Sequence, residues 1–260
     1  MSERERGPRP AGRPEDQARS TPPLFLVDTL PAGGETVLGG PEGHHAATVR
    51  RLRAGEQVRL ADGAGGLAEC TVVGPAGEGL RLAVTAVRRL SPPTPRFVLV
   101  QALAKGDRGE LAVELATELG VDEVLPWAAA RSVTRWEGAR GQRSLARWRS
   151  TAREAAKQSR RPWVPAVAEL QTTRQVADRI ERSAALVLHE AAGSPLTAVD
   201  LPTGGDLVLV AGPEGGIDPA ELAAFTAAGA RAVRLGEPVL RTSTAGAAAL
   251  AVLSARTGRW

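Results

Sequence analysis

Cysteine, tyrosine and lysine are scarce in this sequence of 260 residues, which has one Cys, no Tyr and two Lys. The lone thiol, Cys70, excludes an intrachain disulfide and a cysteine-built zinc site. It suits a reducing cytoplasm, and no metal centre is expected. No run of 18 or more uncharged apolar residues occurs, so no membrane-spanning helix is expected. Residues 1–23 contain no apolar run, so no signal peptide is expected there. Hydrophobic residues make up 43% of the chain and charged residues 24%. That balance predicts a globular protein, and the length suits two domains.

Charge is present but unevenly spread. Residues 131–161 hold nine Arg and one Lys against two Glu, a local net of +8 in a chain whose total is +4. The remainder is therefore acidic, at −4. A basic segment on an acidic protein points to a polyanion partner such as nucleic acid, or to a solvated helix face.

Residues 1–21, rich in Arg, Pro, Glu and Ser, read as a disordered tail. Residues 22–90 read as short strands (24–27, 57–60, 68–73 and 80–84) separated by glycine turns, which suggests a small barrel. A helical stretch is expected at His45–Arg53. Ser91–Pro95, with three prolines, is a linker. From Arg96 to the end, strands alternate with helices, which implies a mostly parallel sheet covered on both faces. Expected strands are 96–101, one beginning at 124, 185–188, 207–211 and 232–235. Expected helices are 109–119, with Leu111, Leu115 and Leu119 inward and Gly120 as its stop, then 144–158, 218–228 and 242–256. On the 144–158 helix, Arg149, Arg153 and Lys157 fall at i, i+4 and i+8 and make a basic face.

The strongest local signal is Leu207-Val208-Leu209-Val210-Ala211 running into Gly212-Pro213-Glu214-Gly215-Gly216. A helix follows, with Asp218 at its N-cap, Pro219 at N1 and Glu221 at N3. Such a loop at a parallel strand's carboxyl end reads as a ligand site or as an ordinary tight turn between strand and helix. It lacks the Gly-Lys-Ser/Thr of a phosphate-cradling loop and the spacing of a dinucleotide loop. Glu214 favours a ligand with a neutral or cationic part, such as a sulfonium. A second strand–loop–helix runs from Val233 to Gly246, with Thr242, Ser243 and Thr244 as candidate caps. The small residues Ala245, Gly246, Ala247, Ala248, Ala249 and Ala251 read as an ordinary alanine-rich helix, or as a helix that another segment or subunit approaches closely.

Together these blocks resemble the RsmE family of the SPOUT superfamily of RNA methyltransferases. The likeness runs through His45–Glu56, then Ala116–Val121 with Pro126 and Arg131-Ser132-Val133. It continues through Arg147-Trp148, Glu154–Ser159, Arg161 and Pro165, and ends in Gly212–Gly216 and Leu235–Thr242. The resemblance implies an α/β fold: a PUA-like β-barrel over 22–90, then a SPOUT-type parallel-sheet domain over 96–260 with a carboxyl-terminal trefoil knot. It implies S-adenosyl-L-methionine as cofactor, a homodimer, and methylation of uracil N3 in 16S ribosomal RNA of the small ribosomal subunit. Carried over residue by residue, the cofactor contacts are Leu188, Gly212, Glu214, Gly215, Gly216, Leu235, Gly236, Leu240 and Arg241. Where the family commonly shows Arg-Thr-Glu-Thr-Ala, this chain has Arg241-Thr242-Ser243-Thr244-Ala245.

Methylating N3 requires proton removal and stabilisation of charge on the uracil oxygens. Arg241 is the candidate for the charge, and Glu190 or Glu214 for the proton. Arg50, Arg51, Arg53, Arg131, Arg135, Arg149, Arg153 and Lys157 are the candidate RNA contacts. His189 is read as structural or cofactor-lining, and His44 and His45 as helix caps or RNA contacts. Trp127, Trp136 and Trp163 are read as core residues before stacking platforms. The competing readings are a SPOUT enzyme acting on a ribose 2′-hydroxyl or another base, a ribosome-assembly factor without catalysis, and a small-molecule enzyme.

Overall fold

Two sheets carry the chain in the computed structural model, which describes residues 21–260. Apart from Thr21, the expected tail at 1–21 lies outside the described residues. The first sheet contains β1 (Leu24–Leu26), β2 (Gly34–Leu38), β3 (Gln57–Ala61), β4 (Gly66–Ala76) and β5 (Gly79–Arg89), in the order β1-β3-β4-β5-β2. Only the β1–β3 pairing is parallel. Val58 and Leu60, then Ala68, Cys70 and Val72, then Leu80 and Leu82 alternate inward and bury against Phe25 and Leu38. This is the period-two pattern of a sheet with one covered face. Burial pushes the Cys70 thiol up to about 11, so it stays protonated and unreactive near neutral pH.

The expected helix at His45–Arg53 is shifted toward the N-terminus. An α-helix, α1 (Gly40–His44), continues into a π-helical turn over His45–Val49, which Arg50 N–H closes onto the His45 carbonyl at 2.9 Å. Pro41 fits the first turn, where its missing N–H costs nothing. Arg51, at φ 53, ends the helix. Neither His44 nor His45 acts as a side-chain cap; the His45 ring stands edge-on to Phe25.

The second sheet is wholly parallel. It comprises β6 (Arg96–Ala102), β7 (Glu123–Trp127), β8 (Ala166–Val167), β9 (Ala184–Leu188), β10 (Asp206–Ala211) and β11 (Arg231–Val233), in the order β11-β9-β10-β6-β7-β8. β6 and β10 are central, which is why their sequences are continuous apolar runs. Phe97, Leu99, Leu207 and Leu209 face one side, where α2 (Arg108–Glu118), α3 (Gly138–Gln158) and α6 (Thr242–Arg256) cover them. Val98, Val100, Val208 and Val210 face the other, under α4 (Thr173–Ile180) and α5 (Pro219–Ala227).

The expected leucine stripe of α2 is not its buried face. Leu111 is 41% exposed, and Ala112, Val113, Ala116 and Thr117 face inward. Small residues suffice there because the sheet side is already filled by Phe97 and Leu99. Trp127 is fully buried against Phe225. The small-residue helix α6 does approach closely: a Cβ on Gly246 would stand 3.0 Å from Leu99.

Several contacts join the two parts, among them backbone hydrogen bonds from Val164 to Gly63 and from Gly65 to Pro162. Trp163 lies against Gly65, where no side chain fits. Lys157 Nζ stands 2.6 Å from Glu42 of α1 and 3.1 Å from Glu154. Burial opposes the lysine charge, but the hydrogen bonds to both carboxylates outweigh it and hold the pKa above the usual lysine value. The pair's contribution is therefore complete below the ordinary lysine pKa and is lost as pH rises through the higher folded value. Lys157→Met is expected to lower unfolding free energy by about 1–3 kcal/mol at neutral pH, with a smaller difference from the parent in strong alkali. Chemical denaturation at both pH values checks this, and an equal loss at both would count against the ion pair as its cause.

Candidate active site

Three loops leave the carboxyl ends of β9, β10 and β11 and meet. The loop after β10 is Gly212–Gly216. Gly216 has φ +73, and a Cβ on Gly212 would stand 2.7 Å from Ile217, so the backbone itself forms the surface. The start of α5 follows the expected capping box, with Asp218 Oδ1 accepting from Ala220 N–H at 3.0 Å and Glu221 Oε2 accepting from Asp218 N–H at 3.3 Å. Glu221 does more than cap. Its Oε1 accepts from Ala130 N–H and the Thr173 hydroxyl, both at 2.8 Å. This buried carboxylate therefore ties the loop after β7 and the start of α4 to the glycine loop.

The loop after β11 is pinned at its root. His189 N–H donates to the Val233 carbonyl, and the Arg234 backbone exchanges hydrogen bonds with Ser194 and Leu196. The cap of α6 differs from expectation. Arg241 occupies the N-cap position with no side-chain cap bond. The Thr242 hydroxyl is used elsewhere, donating to the Gly212 carbonyl at 2.7 Å and accepting from Gln101 Nε2 at 3.0 Å. It thereby locks the two loops together over a fully buried glutamine. Thr242→Val is expected to cost about 1–3 kcal/mol, because the half-buried Gly212 carbonyl loses the hydroxyl and the buried Gln101 amide loses one of its two acceptors. Thermal unfolding reads this, and an unchanged midpoint would sink it.

Between the loops lies a cleft of about 680 Å³. Leu188, Gly212, Glu214, Gly215, Gly216, Leu235, Gly236, Leu240 and Arg241 all line it, with Glu190 and His189. Val239, Ile217, Pro238 and Arg108 also line it; sequence reasoning did not single these out. Apolar side chains thus face polar ones across a glycine floor, which suits a ligand with an aromatic ring and a charged end. Ser243 is buried, at 3% exposure, and does not line the cleft.

The charged groups differ in how free they are. Glu214 accepts from Lys105 N–H at 3.1 Å and lies 3.6 Å from Arg108. Arg131 bonds the Gly215 carbonyl and pairs with Asp218 at 3.4 Å. Glu190 and Arg241 are exposed to the cleft and have no side-chain partner among the described residues. His189 Nδ1 accepts from Ala191 N–H at 3.2 Å.

Of the candidate RNA contacts, Arg50, Arg51, Arg53 and Arg153 are exposed. Arg135 spends its guanidinium on the carbonyls of Ala129, Ala130 and Ser132. Arg149 pairs with Glu169 at 2.9 Å, and Lys157 lies in the seam with Glu42. The basic face of α3 therefore carries less free charge than local counting implies, because its partners come from distant sequence. Among the described residues, no group of three or more His, Cys, Asp or Glu could hold a metal ion. No helix among them is long and apolar enough to cross a membrane.

Comparison with known proteins matches residues 91–254 to an RNA methyltransferase domain and residues 38–84 to an RNA methyltransferase PUA domain. The chain is 50% identical over 243 residues to the ribosomal RNA small subunit methyltransferase E of Mycobacterium bovis, covering 91% of this chain and 93% of that protein. It is 31% identical to the Bacillus subtilis protein of the same name, with 84% and 89% covered. Among solved structures it is similar to the ribosomal RNA small subunit methyltransferase E of Neisseria gonorrhoeae bound to S-adenosyl methionine. That similarity has a TM-score of 0.79 at 26% identity, with 91% of this chain and 98% of that one covered.

Proposed function

The chain belongs to the RsmE family of ribosomal RNA small subunit methyltransferases, and from that premise we propose that it transfers the methyl group of S-adenosyl-L-methionine to N3 of a uracil in 16S ribosomal RNA. The observation that carries this reading is the convergence of all nine expected cofactor residues on one cleft. The glycine floor leaves room for a ligand against backbone, and the apolar and charged walls suit a nucleoside joined to an amino acid. The cofactor supplies a methyl already activated on a sulfonium. The protein has to orient the base, take up the N3 proton and balance charge on the uracil oxygens.

Arg241 serves the last task, since its guanidinium is free and faces the cleft. Glu190 is the better proton acceptor of the two carboxylates. Glu214 is already engaged by Lys105 N–H and Arg108 and instead braces the glycine loop. The target base must leave its stack to reach the cleft, and the exposed Arg50, Arg51, Arg53 and Arg153, with Arg131 in the cleft wall, attract the RNA backbone.

The finer architecture belongs to the same reading: domains at 22–90 and 96–260, a trefoil knot formed where α6 threads behind the loops after β9 and β11, and a homodimer in which Val239 and Leu240, 79% and 39% exposed, meet a second copy. A ribosomal substrate places the protein in the cytoplasm.

The test is methyl transfer from labelled cofactor to small subunits from cells lacking the protein, followed by nucleoside mass spectrometry. Formation of 3-methyluridine is expected. A methylated ribose or another methylated base overturns the choice of substrate. Cofactor binding without transfer favours the assembly-factor reading, for which the buried Ser243 in the family's usual Glu position is the supporting observation.

A further inference from the structure

A second cavity, of about 260 Å³, opens beside the cleft at the carboxyl end of β6. Its floor is indole: Trp136 and Trp148 meet edge to face, with ring centroids 5.0 Å apart. Gly109 lets the cavity wall close on the Trp148 ring, and Gly141 brings α3 against the Trp136 backbone. A Cβ on Gly109 would stand 2.7 Å from Trp148, and one on Gly141 2.8 Å from the Trp136 backbone. Arg140 and Arg147 stand at its edge. Arg140 has no partner among the described residues, and Arg147 is steered by Glu110 at 3.3 Å while remaining 68% exposed.

The two cavities share their partitions. The segment 103–109 lines this cavity through Leu103, Gly106 and Gly109, and the cleft through Arg108. It is bonded to the glycine loop by Lys105 N–H to Glu214. The loop after β7 does the same, with Thr134 bonded to the Ala104 carbonyl at 2.8 Å on one side and Arg131 to the Gly215 carbonyl at 3.3 Å on the other.

Resting on the reading above, we propose that this cavity holds a nucleotide of the RNA strand next to the methylated uridine, with its base against Trp136 and its phosphate between Arg140 and Arg147. An aromatic side chain beside an unpaired guanidinium, Arg140, and a second exposed one, Arg147, held by Glu110, is the chemistry that binds single-stranded nucleic acid. The volume lies just below the range of roughly 300–1,000 Å³ typical of larger ligand pockets, so it takes one nucleotide rather than an extended chain. Occupying it fixes the strand on one side of the partition while the target base enters the cleft on the other. Arg140 and Arg147 thereby act as part of the basic segment seen in the sequence, at a defined place.

The experiment uses the full chain with Arg140→Ala, Trp136→Leu and Trp136→Phe. It measures kcat and KM for small subunits lacking the methyl group, and cofactor binding by calorimetry. Arg140→Ala is expected to raise KM about fivefold or more and to lower the slope of log affinity against log salt by about one. Trp136→Leu is expected to raise KM about fivefold or more, with Trp136→Phe between it and the parent, kcat within about twofold and cofactor binding unchanged. The assignment is overturned if Arg140→Ala and Trp136→Phe leave KM and the salt slope unchanged, or if their main effect falls on cofactor binding. Arg140 is exposed, so its variant decides the matter even where Trp136→Leu fails to fold. If the parent protein itself makes no 3-methyluridine in the same assay, the reaction assignment fails and takes this inference with it; if the parent is active and the variants match it, only the cavity assignment fails.

Discussion

Asp122→Ala is expected to remove about 3–5 kcal/mol of stability, because it strands two buried cations. The Asp122 side chain is 8% exposed, and its Oδ2 accepts from Phe97 N–H at 2.8 Å and from Arg259 at 2.7 Å. Arg161 stands 3.7 Å from Oδ1. Burial pulls the Arg161 guanidinium down to about 10; Asp122 opposes this and Arg259 adds to it. Arg259 also bonds the carbonyls of Gly120 and Pro95 and lies 3.7 Å above the Phe97 ring centroid. One carboxylate thus holds together the linker, the start of β6, the end of α2, the end of α3 and the last residues of the chain. Without it, both guanidinium groups keep their desolvation and lose their only carboxylate partner among the described residues. Asp122→Asn keeps the Phe97 bond and should cost less. Urea unfolding checks this through a lower midpoint at an unchanged slope, and a loss under about 1 kcal/mol would show that water reaches the cluster and replaces the carboxylate.

Much of this frame was legible in the sequence where a residue's surroundings are uniform. β6 and β10 are buried on both faces, so their apolar runs needed no partner to be read. The capping box at Asp218 and Glu221 marks α5, and α6 spans the residues that its sequence pattern predicts. The same signature, Thr172 with Gln175, marks α4, a helix of eight residues that is not among those expected from the sequence. β2 left no signal because it is an edge strand with most of its residues exposed. The inward face of α2 misled because alanine carries little hydrophobic contrast beside leucine.

At the site, the glycine loop was evident from local sequence. What local sequence does not carry is convergence. The Gln101–Thr242–Gly212 chain joins residues 141 and 30 positions apart, and Lys157 found its counter-charge in the other sheet's helix. The second cavity draws on 103–110 and on 134–148, and neither segment shows that it will face the other.

Arg241→Ala is expected to lower kcat by about 10²–10³-fold, the usual cost of removing one group aimed at developing charge. The position separates backbone from side-chain roles. The Arg241 carbonyl accepts from Thr244 and Ala245 N–H in the first turn of α6, and any residue at this site keeps those bonds. Its guanidinium is exposed and without a partner among the described residues, so stability should change by less than about 0.5 kcal/mol. The loss of rate then belongs to the cleft. If the guanidinium acts on the uracil oxygens, kcat and kcat/KM for RNA fall together while cofactor affinity holds. If it only holds the cofactor, the cofactor KM rises and kcat at saturation is preserved. Lysine keeps the charge but not the planar fork, so Arg241→Lys should recover part of the rate in the first case. A variant with full kcat at saturating cofactor would remove Arg241 from the chemistry and leave Glu190 as the remaining candidate to act on the base.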